Sequence, residues 1–318
     1  MKISLIVPCY NEEESLKPFY AELNKVASDM AEYDFEFLFI DDGSKDSTLS
    51  ILKEFAQSDE RVKYIAFSKN FGKEAAMYAG FCNSCGDYTA VMDADMQDPP
   101  SLLKEMVEIL EKGEYDSVAT RRNTRSGEPK IRSFFAKMFY KIMSKISRVD
   151  IVSGARDFRL MKRDMVDAIV AMCENNRFSK GIFGWIGFKT YWMSYDNIER
   201  VAGKTKWSFK KLFNYSVDGI VSFSDVPLKF ATFNAFLCYA LAIPPLVMMI
   251  ISLVQGESFK HYMSLQWFTT LFVIFGVAGT ILLSIGIVGK YIAKIYNEVK
   301  GRPHYIVAQT NKEDVVKK

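Results

Sequence analysis

Histidine is nearly missing from this chain. His261 and His304 are the only two among 318 residues, and neither lies in the first 229. A metal held by that part must use carboxylate and amide oxygens, which favours Mg2+ or Mn2+ over zinc. Cysteine is sparse as well: Cys9, Cys82, Cys85, Cys173 and Cys238 form an odd set without the spacing of a disulfide framework. Cys82 and Cys85 make a C-x-x-C, but no second pair completes a zinc site and both fall in a helical pattern. No G-x-G-x-x-G follows the first strand pattern and no G-x-x-x-x-G-K-[ST] occurs, which argues against a dinucleotide site and a P-loop. The opening MKISLIVP is a strand pattern too brief for a secretory signal. With 49% apolar and 25% charged residues, the chain is neither disordered, collagen-like nor a disulfide-stapled miniprotein. A net charge of +3 gives no support to a nucleic-acid binder.

That small total is a cancellation. Residues 1–120 carry 11 Lys/Arg and 24 Asp/Glu, a net of −13, and residues 121–229 carry 22 and 10, a net of +12. Residues 230–289 hold one Lys and one Glu, and residues 290–318 have a net of +4. Charge is wholly absent between Lys229 and Glu257 and again from Tyr262 to Gly289. A bilayer core needs about 20 helical residues, so both runs are long enough to span it, at about 231–254 and 264–289. Pro244-Pro245 is tolerable in a membrane helix, and Gly276, Gly279, Gly286 and Gly289 line one side of the second span, where another helix could approach. Lys204, Lys206, Lys210, Lys211 and Lys229 precede the hairpin; Lys290, Lys294, Lys300 and Arg302 follow it. The positive-inside rule then puts both termini in the cytoplasm of a multi-pass plasma-membrane protein. A mean hydropathy of −0.01 is what a hydrophilic domain and two such helices average to.

The first 120 residues alternate strand and helix patterns. Strands are expected at 3–7, 35–40, 62–67, 88–92 and 117–120, with helices at 13–30, 46–56, 73–85 and 99–110. The alternation predicts an α/β domain with a mainly parallel sheet covered on both faces. Ligands of such sheets bind beyond the carboxyl ends of strands, which singles out residues 8–12, 41–44, 68–73 and 93–98. Asp41-Asp42-Gly43-Ser44 is ordinary turn chemistry and a weak signal. Asp93-Ala94-Asp95-Met96-Gln97-Asp98 is stronger, because carboxylates two apart at a strand end can converge on a hard cation that bridges phosphate oxygens.

With these pieces the chain resembles family-2 glycosyltransferases of the GT-A, Rossmann-like fold, and within them the polyprenyl-phosphate glycosyltransferases. That subgroup includes bactoprenol glucosyltransferases and dolichol-phosphate mannose synthases. The resemblance rests on VPCYNEEE at 7–14, DDGS at 41–44, FSKNFGKEAA at 67–76, MDADMQDPP at 92–100 and GARDFRLM at 154–161. It extends to the stretch from Arg200 to Lys206-Trp207-Ser208 and to the two spans. It implies inverting transfer of a hexose, glucose or N-acetylglucosamine favoured, from a nucleotide sugar (UDP favoured) to undecaprenyl or another polyprenyl phosphate. It implies that Pro8, Tyr10, Glu12, Asp41, Asp42, Lys73, Asp93 and Ala94 hold the nucleotide sugar, with Arg200 and Lys206 closing over its diphosphate. Asp95, Gln97 and Asp93 would hold Mg2+ or Mn2+, Arg121 and Arg132 the lipid phosphate. Asp157, together with Asp95 and Arg200, would be catalytic. Asp157 reads as a base, as an orienter, or as a partner of its neighbours Arg156 and Arg159. A phosphate acceptor, with a second pKa of about 6, needs little help from a base.

The domain reading is a glycosyltransferase domain at 1–203, a juxtamembrane amphipathic segment at 204–229, two spans within 230–294 and a basic tail at 295–318. Residues 131–149 read as a basic amphipathic helix that either lies on an anionic membrane or packs on the domain as an ordinary surface helix. The expected partners are the bilayer, a separate flippase, since two uncharged spans make a poor polar pathway, and a further copy of the chain. A processive polysaccharide synthase would carry Q-x-x-R-W, and Gln266-Trp267 is not that motif. An inactive nucleotide-sugar-binding scaffold has no use for the intact 93–98 cluster.

Overall fold

The computed structural model describes residues 1–122, 152, 154–195, 217, 220, 221, 224, 226–255 and 263–316. The chain divides into two units, Met1–Ser222 with Gly301–Lys318, and Phe223–Lys300.

The first unit is built on one sheet. β1 (Lys2–Cys9), β2 (Asp34–Asp41), β3 (Val62–Phe67) and β4 (Tyr88–Val91) alternate with α1 (Leu16–Asp29), α2 (Thr48–Ser58), α3 (Lys73–Asn83) and α4 (Leu102–Glu111). Then come β5 (Ser117–Arg122), β6 (Ala155–Lys162), α5 (Arg163–Ala171), α6 (Ser179–Trp185) and β7 (Thr190–Tyr195). The strand order is β7-β5-β6-β4-β1-β2-β3, with a last strand, β8 (Val307–Thr310), outside β3. β1 to β4 run parallel, as the alternating pattern required. β6 runs antiparallel between β4 and β5, and β8 antiparallel to β3.

Burial explains the elements. Ile3, Leu5 and Val7 on one face of β1 meet Leu16, Phe19 and Leu23 of α1 and Leu103, Met106 and Leu110 of α4, all fully buried or nearly so. The opposite face carries Ile6, against which α3 lies so close that a Cβ on Gly80 would sit 2.2 Å from the Ile6 side chain. That approach accounts for a glycine inside a helix that would otherwise be weakened by it. Helix starts fall later than the sequence pattern suggests. The Glu12 carbonyl accepts from Ser15 and Leu16, so α1 begins at Leu16 instead of residue 13. The carbonyls of Pro99 and Pro100 accept from Leu102 and Leu103, so α4 begins at Leu102. Asp46 lies ahead of α2, yet its carboxylate still accepts from the Thr48 amide at 3.0 Å.

The segment after residue 300, expected as a basic tail, returns to the sheet. Besides forming β8, it buries Tyr305 stacked on Phe67, with ring centroids 5.0 Å apart, and sends Lys312 to the buried carboxylate of Glu36 at 2.8 Å. The Ile306 carbonyl accepts from Ser68 at 2.9 Å. The second unit holds two helices, α7 (Val226–Gln255) and α8 (Met263–Val299), 30 and 37 residues long and packed against each other. α7 continues through Pro244-Pro245. Among the described residues, Gly276–Val299 is the stretch long and apolar enough to cross a membrane.

Candidate active site

Parallel β1 to β4 bring their carboxyl ends to one edge, and antiparallel β6 brings its amino end there. The pairing of Val91 with Arg159 extends to place Asp93, just past β4, level with Asp157 near the start of β6. Lys73, the first residue of α3, joins them. Its ammonium bonds both oxygens of Asp93 at 2.7 and 2.8 Å and Asp157 at 2.5 Å. Burial works against the Lys73 ammonium, but Asp157 and Asp93 outweigh it and raise its pKa. Burial likewise works against the charged form of Asp157, and Lys73, then Lys180, overcome it and hold the carboxyl well below the usual range. Lys73 and Asp157 are therefore a fixed pair of opposite charges at neutral pH, with Asp93 bonded to the same ammonium.

The loops around it are tied to one another. The Asp42 carboxylate, 4% exposed, accepts from the amides of Phe71 at 2.6 Å and Gly72 at 2.9 Å, directly before Lys73. Gly43 has φ +67°, and a Cβ there would lie 2.4 Å from the Lys69 carbonyl carbon, so only glycine lets these loops meet. Asp41 accepts from the Ser44 amide at 3.1 Å. Asn11 bonds the Lys45 amide at 2.8 Å through its side chain, and the Glu12 amide donates to Thr48 at 2.8 Å. Among the described residues, Asn11 and Met96 are the non-glycine residues with positive φ, +52° and +59°, and both lie beyond strand ends at this edge. Such backbone persists only where the surroundings over-determine it, and it concentrates at functional sites.

Burial raises the Asp41 pKa and pushes Asp42 up to about 6. A carboxyl with a raised pKa binds its proton more readily in the folded chain, so its contribution to stability falls as pH rises through 4 to 6. The stability of wild type minus that of Asp42→Asn is therefore expected to fall by about 1–3 kcal/mol over that interval and stay level above it. Chemical denaturation in detergent at pH 4 to 8 measures this; a difference that grows with pH contradicts it.

The acidic cluster is not gathered on one point. Asp95 accepts from the Gln97 amide at 3.1 Å, and the Gln97 side-chain oxygen accepts from Arg156 at 3.3 Å. Asp98, 1% exposed, takes Arg156 at 2.8 Å and the Tyr195 hydroxyl. Burial depresses Arg156, but Asp98 more than reverses this; burial and Asp98 both raise Tyr195. So Arg156 pairs with Asp98 and Gln97, and Asp157 with Lys73. Among the described residues, no three His, Cys, Asp or Glu side chains form a ready cation cage. The chemistry of Asp93 and Asp95, hard oxygen donors at a strand end, still fits Mg2+ or Mn2+.

Of the other expected residues, Pro8 lies in β1 paired with Ile40, Tyr10 and Glu12 follow β1, and Ala94 is buried beside Asp93. Glu12 accepts from the Ser15 hydroxyl at 2.8 Å. Arg121, exposed near the end of β5, donates to Ser194 at 2.8 Å. Arg132, Arg200 and Lys206, the 131–149 helix pattern and most of 204–223 lie outside the described residues. Two features are not legible in the sequence: the bridge that Lys73, expected at the nucleotide sugar, makes between Asp93 and Asp157, and the burial of Arg159. The cue for Lys73 is its position directly after the third strand's loop.

Residues 4–170 match the family described as glycosyl transferase family 2. The chain is 44% identical to CsbB of Bacillus subtilis (strain 168), provisionally named a glycosyltransferase, over 97% of this chain and 92% of that one. It is 39% identical to the prophage bactoprenol glucosyl transferase homolog of Escherichia coli (strain K12), over 98% and 100%. Among solved structures, mannosyl-3-phosphoglycerate synthase from Rubrobacter xylanophilus superposes with a TM-score of 0.48 at 15% identity, over 69% of this chain and 72% of that one.

Proposed function

The chain belongs to glycosyl transferase family 2, and from that membership we propose that it transfers a hexose from a nucleotide diphosphate sugar to a polyprenyl phosphate. The observation that carries the reading is the Asp93–Lys73–Asp157 arrangement at the carboxyl edge of the sheet, the edge at which such sheets bind their ligands. The acceptor class is supported by the full-length likeness to a bactoprenol glucosyl transferase homolog and by the apolar stretch Gly276–Val299.

In this reading an acceptor phosphate oxygen attacks the anomeric carbon from the face opposite the diphosphate. The carbon–oxygen bond to the diphosphate breaks, the nucleoside diphosphate leaves with the electron pair, and the anomeric configuration inverts. The acceptor is already ionised, with a second pKa of about 6, so no proton must be removed. Asp157, held below the ordinary carboxylate range, is too weak a base to be poised for that task. It acts as an orienter that fixes Lys73 near the reacting groups. Asp41, Asp42 and the 10–12 loop face the nucleoside, and Arg200 and Lys206 complete the grip on the diphosphate. A Mg2+ or Mn2+ ion held by Asp93, Asp95 and Gln97 would neutralise charge on the leaving diphosphate.

UDP-glucose or UDP-N-acetylglucosamine is the favoured donor. α7 and α8 span the plasma membrane with both termini cytoplasmic, and a separate flippase carries the product across; the glycine side of α8 offers a docking face to a second copy. The test is transfer of labelled sugar from a donor panel to undecaprenyl phosphate in membranes carrying the full chain. Label is expected in the organic extract, reduced at least about 100-fold by Asp95→Ala. Label that stays aqueous with every donor would reject the proposal.

A further inference from the structure

Beside the reacting edge, on the β7 side of the sheet, lies a cavity of about 300 Å3. Arg156, Arg159 and Lys180 line it together with Phe183, Phe188 and Trp192. Among the described residues lining it none is acidic. Arg156 is already neutralised by Asp98. Arg159 is not: it is 4% exposed, donates to the hydroxyls of Ser117 and Thr190 at 3.1 Å each, and makes no ion pair among the described residues. Its Nε is buried without a hydrogen-bond partner among the described residues. Its guanidinium lies over the rings of Phe183 and Trp192, 4.6 and 5.3 Å from their centroids. Burial draws its pKa down to about 9, with Asp157 opposing the fall.

A buried cation without a counter-ion is expensive, and it is normally kept only where an anion completes it. Here the missing anion would enter a space whose remaining walls are aromatic. The cavity thus suits a molecule with an anionic head and an apolar body. Its position fits the acceptor. Ala155 and Arg156 directly precede Asp157 on β6, and Arg159 follows two residues later on the same side of the strand. Register continues the track outward: Ala119 pairs with both Arg159 and Trp192, and Arg121 with both Ala155 and Ser194. The wall is also tied to the reacting trio. The amide of Ser179, at the start of α6, donates to Glu74 at 3.0 Å, and Glu74 follows Lys73.

We propose that this cavity is a binding site for the acceptor, in which Arg159 and Lys180 hold the phosphate and Phe183, Phe188 and Trp192 pack on the first prenyl units. The assignment rests on the function proposed above and adds an inner set of acceptor residues to Arg121, which stands exposed at the end of β5. Removing one charge-assisted hydrogen bond from such a site lowers affinity by about 10- to 100-fold.

The experiment uses the full chain in detergent with farnesyl phosphate as a soluble polyprenyl phosphate and inorganic phosphate as the headgroup alone. Arg159→Gln, Lys180→Gln and Trp192→Ala are compared with wild type. The partly exposed Lys180 serves where Arg159→Gln fails to fold. Expected are a rise of at least about 10-fold in Kd and KM for farnesyl phosphate in Lys180→Gln, with nucleotide-sugar Kd unchanged, and a weaker affinity of wild type for inorganic phosphate than for farnesyl phosphate. Trp192→Ala is expected to weaken farnesyl phosphate and leave inorganic phosphate untouched. If wild type transfers sugar to polyprenyl phosphate and the variants keep its KM, the cavity assignment falls alone. Equal affinity for the two phosphates overturns the lipid part of it. Wild type that transfers to no polyprenyl phosphate overturns the functional reading itself.

Discussion

Lys312→Met is expected to destabilise the chain by about 3–5 kcal/mol at neutral pH, because it leaves a carboxylate buried and unpaired in the sheet. That carboxylate is Glu36 on β2, 3% exposed. It accepts from Ser4 at 2.6 Å and from Lys312 at 2.8 Å. Burial by itself would raise its pKa; Lys312 and Ser4 reverse this and hold it below the ordinary value. The sign follows from linkage. A depressed carboxyl contributes stability above its unfolded pKa and loses it as pH falls through the folded one, so the wild type loses this support below about pH 4. In Lys312→Met the carboxyl rises instead and sheds its charge by taking a proton as pH drops. The deficit of the variant should accordingly shrink on acidification. Glu36→Gln combined with Lys312→Met should recover most of the loss, since no unpaired charge remains. Thermal melts in detergent at pH 4 and pH 7 measure all three chains. A double variant no more stable than Lys312→Met would show that the tail's packing, rather than this ion pair, carries the effect.

The same ion pair marks the limit of what can be read from the sequence. The parallel part of the sheet is legible, because strands buried on both faces show up as short apolar runs such as Ile3 to Val7 separated by amphipathic helices. The edge where ligands bind follows from that alternation, and it holds Asp93, Lys73 and Asp42. β6 is not legible. Ala155–Lys162 is a chemically mixed stretch, and only its pairing with both β4 and β5 makes it a strand. The partner of Asp157 is hidden for the same reason. Its flanking arginines are the obvious candidates in sequence, but Arg156 points to the opposite face and pairs with Asp98, Arg159 is taken up by Ser117 and Thr190, and the ammonium that reaches Asp157 comes from a position 84 residues earlier. β8 is equally invisible. Val307–Thr310 is only four residues long, and Lys312 looks like tail charge until its partner, 276 residues away, is known. Long-range pairings of single polar residues leave no periodicity to read.

Lys73→Met should reduce sugar transfer by about 100- to 1000-fold, the scale on which one preorganised charge near a reacting centre acts. The ammonium bridges carboxylates from two strands, and without it Asp93 and Asp157 face each other as like charges. Asp157, deprived of the ammonium that holds its carboxyl below the ordinary range, then takes a proton at a higher pH than in the wild type. The three side chains are 22–30% exposed, so water screens part of the repulsion and the stability loss should stay near 1–3 kcal/mol. Activity, not folding, therefore carries the larger effect. The pH profile separates this role from a merely structural one. In wild type Asp157 stays ionised well below neutral pH and adds no acid limb near neutrality. In Lys73→Met the remaining activity should acquire such a limb, because that proton binds at higher pH. Asp157→Asn in that background should then cost little more than Lys73→Met alone, since the two residues act as one unit. Lys73→Arg should restore only part of the rate, because a planar guanidinium spreads its charge over a fork and does not replace a compact ammonium held between two carboxylates. Steady-state kinetics between pH 5 and 8 of wild type, Lys73→Met, Lys73→Arg, Asp157→Asn and the double variant Lys73→Met/Asp157→Asn read these outcomes together. Independent, additive losses from Lys73 and Asp157 would mean that the carboxylate acts on the substrate by itself, and that the base role of Asp157 should be restored.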